Sequence, residues 1–105
     1  MKYSVPFLLL IISPFASANL TPEQMTLFTQ KCAQCHVKPE TGAPIIGNVE
    51  HWQPVKEQGF KLTLKHVVEG KGSMPPLGSC SACTEDDFRA LTQFLAGFTD
   101  EEVKK

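Results

Sequence analysis

The chain has no apolar run long enough to cross a bilayer, no strand-like alternation of apolar and polar residues, no stripe of basic residues and no internal repeat. Each absence excludes something. The longest apolar run, Val5-Pro6-Phe7-Leu8-Leu9-Leu10-Ile11-Ile12, falls far short of the roughly 20 residues of a transmembrane helix, and prolines interrupt its surroundings. Without alternation, no half-buried strand is expected. Ten basic side chains against 11 acidic ones leave no electrostatic footprint for nucleic acid. At 105 residues there is room for one domain only. A core that small often needs an internal staple.

The first residues are expected to lie outside that domain. Lys2 supplies a positive start, the apolar run follows, and Ala16-Ser17-Ala18 fits the small-residue cleavage pattern of a secretory signal peptide. Residues 1–18 are therefore read as a signal peptide and residues 19–105 as the mature domain, beginning at Asn19. Lys2 is the only charge in the leader, so the mature part carries 9 basic and 11 acidic side chains. That sign weakly favours positively charged protein partners. Export would place the four cysteines in an oxidising compartment, where disulfides persist.

The most informative residues are Cys32-Ala33-Gln34-Cys35-His36. They spell C-x-x-C-H, the attachment signature of a covalent c-type haem. Two thiols three positions apart can each add to one vinyl group of the porphyrin. The histidine that follows is then held over the ring, where its imidazole can ligate iron. A covalent porphyrin would also be the staple that a small chain requires.

The rest reads as helices and loops. Thr21-Pro22-Glu23-Gln24 has an N-cap, a proline at the first helical position and the last member of a capping box. Met25, Phe28 and Cys32 then follow at helical spacing, with Met25 expected in the core, and the helix should end near the haem motif. The stretch from Val37 to Gly47 is expected to be loop. A short helix is expected from Glu50 to Gly59, with Pro54 tolerated only in its first turn. Another should run from Lys61 to Glu69, stopped by Gly70. Gly72 to Cys83 reads as loop again. Thr84 with Glu85-Asp86-Asp87 opens a last helix, buried along Phe88, Leu91, Leu95 and Phe98. The tail from Asp100 is expected to fray. The fold class is all-α, with short helices and long loops around one prosthetic group.

An electron carrier needs a second strong iron ligand. Met74, in Gly72-Ser73-Met74-Pro75-Pro76, is the best candidate, since an extended loop can bring its thioether to the face opposite His36. His51 and His66 lie in polar helical stretches and read as solvated residues.

Together these residues resemble a known family. Cys32 to His36, Thr41-Gly42-Ala43-Pro44, Trp52, and Gly70 to Cys83 with its Met-Pro-Pro loop and second C-x-x-C are similar to bacterial class I c-type cytochromes of the cytochrome c5 type. The resemblance runs from about Thr21 to Gly97. It implies a small cytochrome c fold around one haem c, Cys32 and Cys35 as attachment points, and His36 and Met74 as iron ligands. It also implies that the Pro44 carbonyl accepts the second imidazole N–H of His36, although Pro44 would otherwise pass for an ordinary loop proline. Trp52 is either a plain core residue or one that also offers its indole N–H to a haem propionate.

Cys80-Ser81-Ala82-Cys83 is followed by Thr84, which argues against a second haem. A four-cysteine zinc site and a catalytic dithiol are further possibilities. A structural disulfide in an exported protein is preferred, and the resemblance implies the same.

The function expected is that of a periplasmic monohaem cytochrome c, a monomer and not an enzyme. It would carry single electrons between a donor and an acceptor redox protein through transient docking, meeting membranes only through partner complexes. The alternative is a haem-based sensor or enzyme subunit in which Met74 is displaceable.

Overall fold

A computed structural model describes residues 20–105; the expected signal peptide, and the expected domain start at Asn19, lie outside them. Three helix starts share one device. Thr21, Thr84 and Thr99 each accept the backbone N–H three residues on, and Gln24, Asp87 and Glu102 in turn accept the threonine N–H. Each reciprocal pair satisfies two donors that a helix start leaves open.

The first of these starts opens α1 (Pro22–Leu27), which runs through a π-helical stretch, Phe28–Cys32, into α2 (Ala33–His36). A loop containing the 3₁₀ turn Pro39–Thr41 leads to α3 (Val49–Gln58) and then α4 (Phe60–Glu69). The 3₁₀ turn Pro76–Ser79 precedes α5 (Glu85–Ala96), and α6 (Asp100–Val103) closes the chain. Among the described residues there is no strand, only a bridge between Lys71 and Met74, and no helix long and apolar enough to cross a membrane. The fold is the small all-α one expected.

The core joins elements distant in sequence. Trp52 of α3, Phe60 of α4, and Leu95, Ala96 and Phe98 at the end of α5 are buried together, with Phe28, Ile46, Val55, Leu64 and Val103 against them. Phe60 meets Phe98 edge to face at 5.4 Å, and the Arg89 guanidinium lies 5.2 Å over the Phe60 ring. Phe28 meets Phe94 in the same manner at 5.4 Å, while Gln24 Nε2 donates to Asp87 Oδ1 at 3.1 Å. The helix that carries the C-x-x-C-H motif is thereby fixed to α5. Such aromatic pairs contribute about 0.5–1.5 kcal/mol beyond area burial.

Three expectations are corrected. Met25 is 42% exposed rather than in the core. Met25 stands three residues before Phe28, about 60° around the helix from it, at the edge of the face that Phe28 turns toward Phe94. After Phe28 the Ala33 N–H reaches back to the Phe28 carbonyl, and that longer ring rotates the motif relative to the turns before it. Pro54 sits inside α3, not in its first turn, because the helix starts earlier, at Asn48, whose Oδ1 accepts the His51 N–H at 3.0 Å. The proline leaves the Glu50 carbonyl without its helical donor, but Glu50 is exposed and water can serve it. The tail forms α6 instead of fraying. Its Thr99–Glu102 capping box, the 3.4 Å ion pair of Glu102 with Lys56, and Val103 on the core hold it in place.

Candidate functional site

α2 presents the motif. Cys32 ends the π-helical stretch and is half-buried; Cys35, one turn on, is exposed, and the two thiols are not bonded to each other. Burial pushes the Cys32 thiol up from its ordinary range. Among the described residues no cluster of three or more His, Cys, Asp or Glu side chains could hold a metal ion, which counts against a four-cysteine zinc site.

His36 is buried, and its imidazole is fixed from two sides. Its Nδ1 lies 2.7 Å from the Pro44 carbonyl oxygen, and its ring stacks on Trp52 at 5.5 Å between centroids and 27° between planes. A carbonyl can only accept, so Nδ1 carries a proton, and in the neutral ring the lone pair then falls on Nε2. This is the state in which an imidazole ligates a metal, with its other nitrogen oriented by a backbone acceptor. The residues present therefore fit a c-type haem: two free thiols one turn apart and an imidazole whose Nδ1 side is held by a backbone carbonyl.

The loop after α2 makes this contact possible. Gly42 at φ +78° and Gly47 at φ +82° turn the chain where a side chain would be strained, and the Ile46 N–H donates to the His36 carbonyl at 2.9 Å. The Trp52 indole N–H donates to the Ile45 carbonyl at 2.8 Å. Trp52 is buried in the core. His51, read from the sequence as merely solvated, accepts the Ile45 N–H on Nδ1 at 3.1 Å although exposed. Neither spacing nor composition signals that contact. It depends on the Asn48 cap, which sets where α3 begins.

Met74 lies in a tight turn closed by paired bonds with Lys71, N–H to carbonyl in both directions at 3.0 and 2.9 Å. The turn is packed against glycines. A Cβ on Gly70 would meet the Met74 carbonyl oxygen and Pro76 nitrogen at 3.0 Å, and one on Gly78 would lie 3.5 Å from the Met74 methyl. Leu77 and Ser79 follow at φ of +62° and +63°, a left-handed conformation that residues other than glycine seldom take. Cys80 and Cys83 are joined in a disulfide directly after this segment, with Cys80 fully buried. Among the predicted residues, His36, Pro44 and Trp52 are in direct contact. Met74 and the disulfide belong to a second segment, whose turn Pro76–Ser79 packs on α4 and on Phe28–Cys32.

A small helical fold with a thiol pair and a carbonyl-held histidine on one helix defines a c-type cytochrome. Comparison with known proteins agrees. Residues 14–95 match the family described as cytochrome C oxidase, cbb3-type, subunit III. A cytochrome c5 of Ectopseudomonas mendocina is 30% identical over 73 residues, covering 68% of this chain and 84% of that protein. A cytochrome c5 of Azotobacter vinelandii is 28% identical over 68 residues, covering 63% and 82%. A chain in the crystal structure of an electron transfer complex of nitrite reductase with cytochrome c superposes with a TM-score of 0.66 at 33% identity. It covers 75% of this chain and 96% of its own. The chain belongs to the class I c-type cytochromes and is cytochrome c5-like. Its cofactor is one covalently bound haem c with its iron.

Proposed function

We propose that this c-type electron carrier works in the periplasm, passing single electrons between larger redox proteins, with Cys32 and Cys35 as thioether attachments and His36 and Met74 as axial ligands. When bound, haem supplies a one-electron ferric–ferrous couple. The protein's share is to hold two ligands so that little moves between the two states. The observation that carries the proposal is the 2.7 Å contact of His36 Nδ1 with the Pro44 carbonyl, which occupies Nδ1 and supports Nε2 as the ligating nitrogen. Met74 is supported by its turn, closed on Lys71 and braced on Gly70 and Gly78. A soft thioether favours ferrous iron and raises the potential.

The partner class draws on the neighbour above, a cytochrome c in complex with nitrite reductase. Docking of this chain would be weak and transient, between monomers and larger proteins, with its net negative charge favouring positively charged surfaces. Absorption spectroscopy tests the ligand pair. The oxidised protein should show the weak far-red band of methionine on ferric iron, and Met74→Ala should remove it and lower the reduction potential. Carbon monoxide binding to the reduced parent protein would instead support a sensor with a displaceable methionine.

A further inference from the structure

The Pro44 carbonyl and the Ile45 N–H belong to the same trans peptide group and point to opposite sides of it. On one side the carbonyl accepts from His36 Nδ1 at 2.7 Å; on the other the N–H donates to His51 Nδ1 at 3.1 Å. The two imidazoles are thus connected through one peptide unit. Because the Ile45 N–H is a donor, His51 Nδ1 must be the bare nitrogen, with its proton on Nε2. Hydrogen bonds in such a chain polarise one another. An acceptor on the N–H side draws electron density toward the carbonyl oxygen and makes it a better acceptor on the other.

The rest of the local structure keeps this row in register. The Asn48 side chain caps α3 on the His51 N–H, and the neighbouring Trp52 donates to the other face of Ile45 while stacking on His36. One helical turn therefore positions both the residue that takes the Ile45 N–H and the residue that covers the His36 ring.

We propose that His51 is a positioning residue for electron transfer: by accepting the Ile45 N–H it strengthens the Pro44 carbonyl as acceptor, gives His36 more imidazolate character and lowers the reduction potential. The inference rests on His36 ligating iron. A more electron-rich imidazole stabilises the ferric state, so weakening its hydrogen bond must raise the potential.

The test uses the holoprotein at a pH of about 8.5, above the ordinary histidine range. His51→Leu removes the acceptor and His51→Asn replaces Nδ1 with an amide oxygen at similar reach. The His51→Leu potential should rise, the His51→Asn potential should return close to that of the parent, and the His36 Nδ1–H proton resonance should shift in His51→Leu alone. Denaturant midpoints recorded in parallel separate this from a packing effect, which would change stability without ordering the potentials in this way. Equal potentials in the parent and both variants, with the far-red methionine band intact, would overturn the inference and leave the ligand assignment standing. A parent protein without histidine–methionine spectra would overturn the ligand assignment itself.

Discussion

Gly59 and Gly70 make a matched pair that isolates what the Met74 turn contributes. Their backbones are nearly identical, with φ and ψ of +91° and 159° at Gly59 and +87° and 155° at Gly70. That region is essentially restricted to glycine, and an alanine placed there costs about 1–3 kcal/mol in strain. At Gly59 nothing lies within 4 Å of a new Cβ, so strain is the whole cost. At Gly70 the Cβ would also press on Met74 O and Pro76 N at 3.0 Å and on Pro76 Cδ at 3.1 Å. Two of these are backbone atoms, which cannot swing aside as a side-chain end can. Overpacking of this kind adds about 1–3 kcal/mol. The expected excess of Gly70→Ala over Gly59→Ala is therefore about 1–3 kcal/mol, and moving the Met74 turn would relieve it. Guanidinium titration of the oxidised holoproteins, followed by the far-red band and by far-ultraviolet circular dichroism, measures both quantities. In Gly70→Ala the band should vanish at lower denaturant than the helices unfold, whereas in Gly59→Ala the two should move together. Two variants equal in midpoint and in band loss would refute the steric account.

Protein matured with the c-type machinery should have the mass of the mature chain plus one haem, and haem leaving in acid acetone would exclude thioether attachment. Titration of that unfolded, unreduced protein should find no free thiol. Replacing Cys80 and Cys83 with serine should leave haem attachment intact but make the methionine band disappear at lower alkaline pH; an unchanged midpoint would deny the disulfide any part in holding the ligand segment. The Thr84 N–H, with Gln24 Nε2, holds the Asp87 carboxyl below its ordinary range, and the Thr99 N–H, with Lys56, does the same for Glu102. Their contribution is present above about pH 4 and is lost as pH falls through the lowered values, because the unfolded chain binds protons first. Asp87→Ala with Glu102→Ala should flatten the fall of stability below about pH 4, and a slope like the parent's would count against it.

Where local chemistry decides the structure, the sequence was legible. Thr21 with Gln24, Thr84 with its acids, and Gly70 are start and stop signals that work through their own neighbours, and the helices begin and end there. The run Phe88, Leu91, Leu95 and Phe98 is buried throughout. Misjudged features were of two kinds. The Thr99–Glu102 box was as plain as the other two but lay in a charged tail, where composition suggested solvent. Pro54 and His51 depend on where α3 begins, which the Asn48 cap sets without any periodic mark, and Met25 lies at the edge of its helix face, where spacing alone does not decide burial. For the site, C-x-x-C-H identifies the chemistry because three covalent or coordinate bonds demand those residues at that spacing. The contact between His36 and Pro44 followed from resemblance. The peptide link to His51 needed coordinates, since it joins residues through a backbone group rather than through side-chain types.

Two of the contacts that fix the N-terminal part of the motif-bearing helix come from the far end of the chain. Gln24 is bonded to Asp87 and Phe28 is paired with Phe94, each across more than half of the sequence. Such non-local contacts form late, after the intervening segment has closed its loop. Synthesis from the N-terminus would therefore present Cys32 and Cys35 before α5 exists to hold Gln24 and Phe28. A circular permutant that places α5 ahead of α1 would reverse that order and bring the anchoring helix into being before the helix it holds.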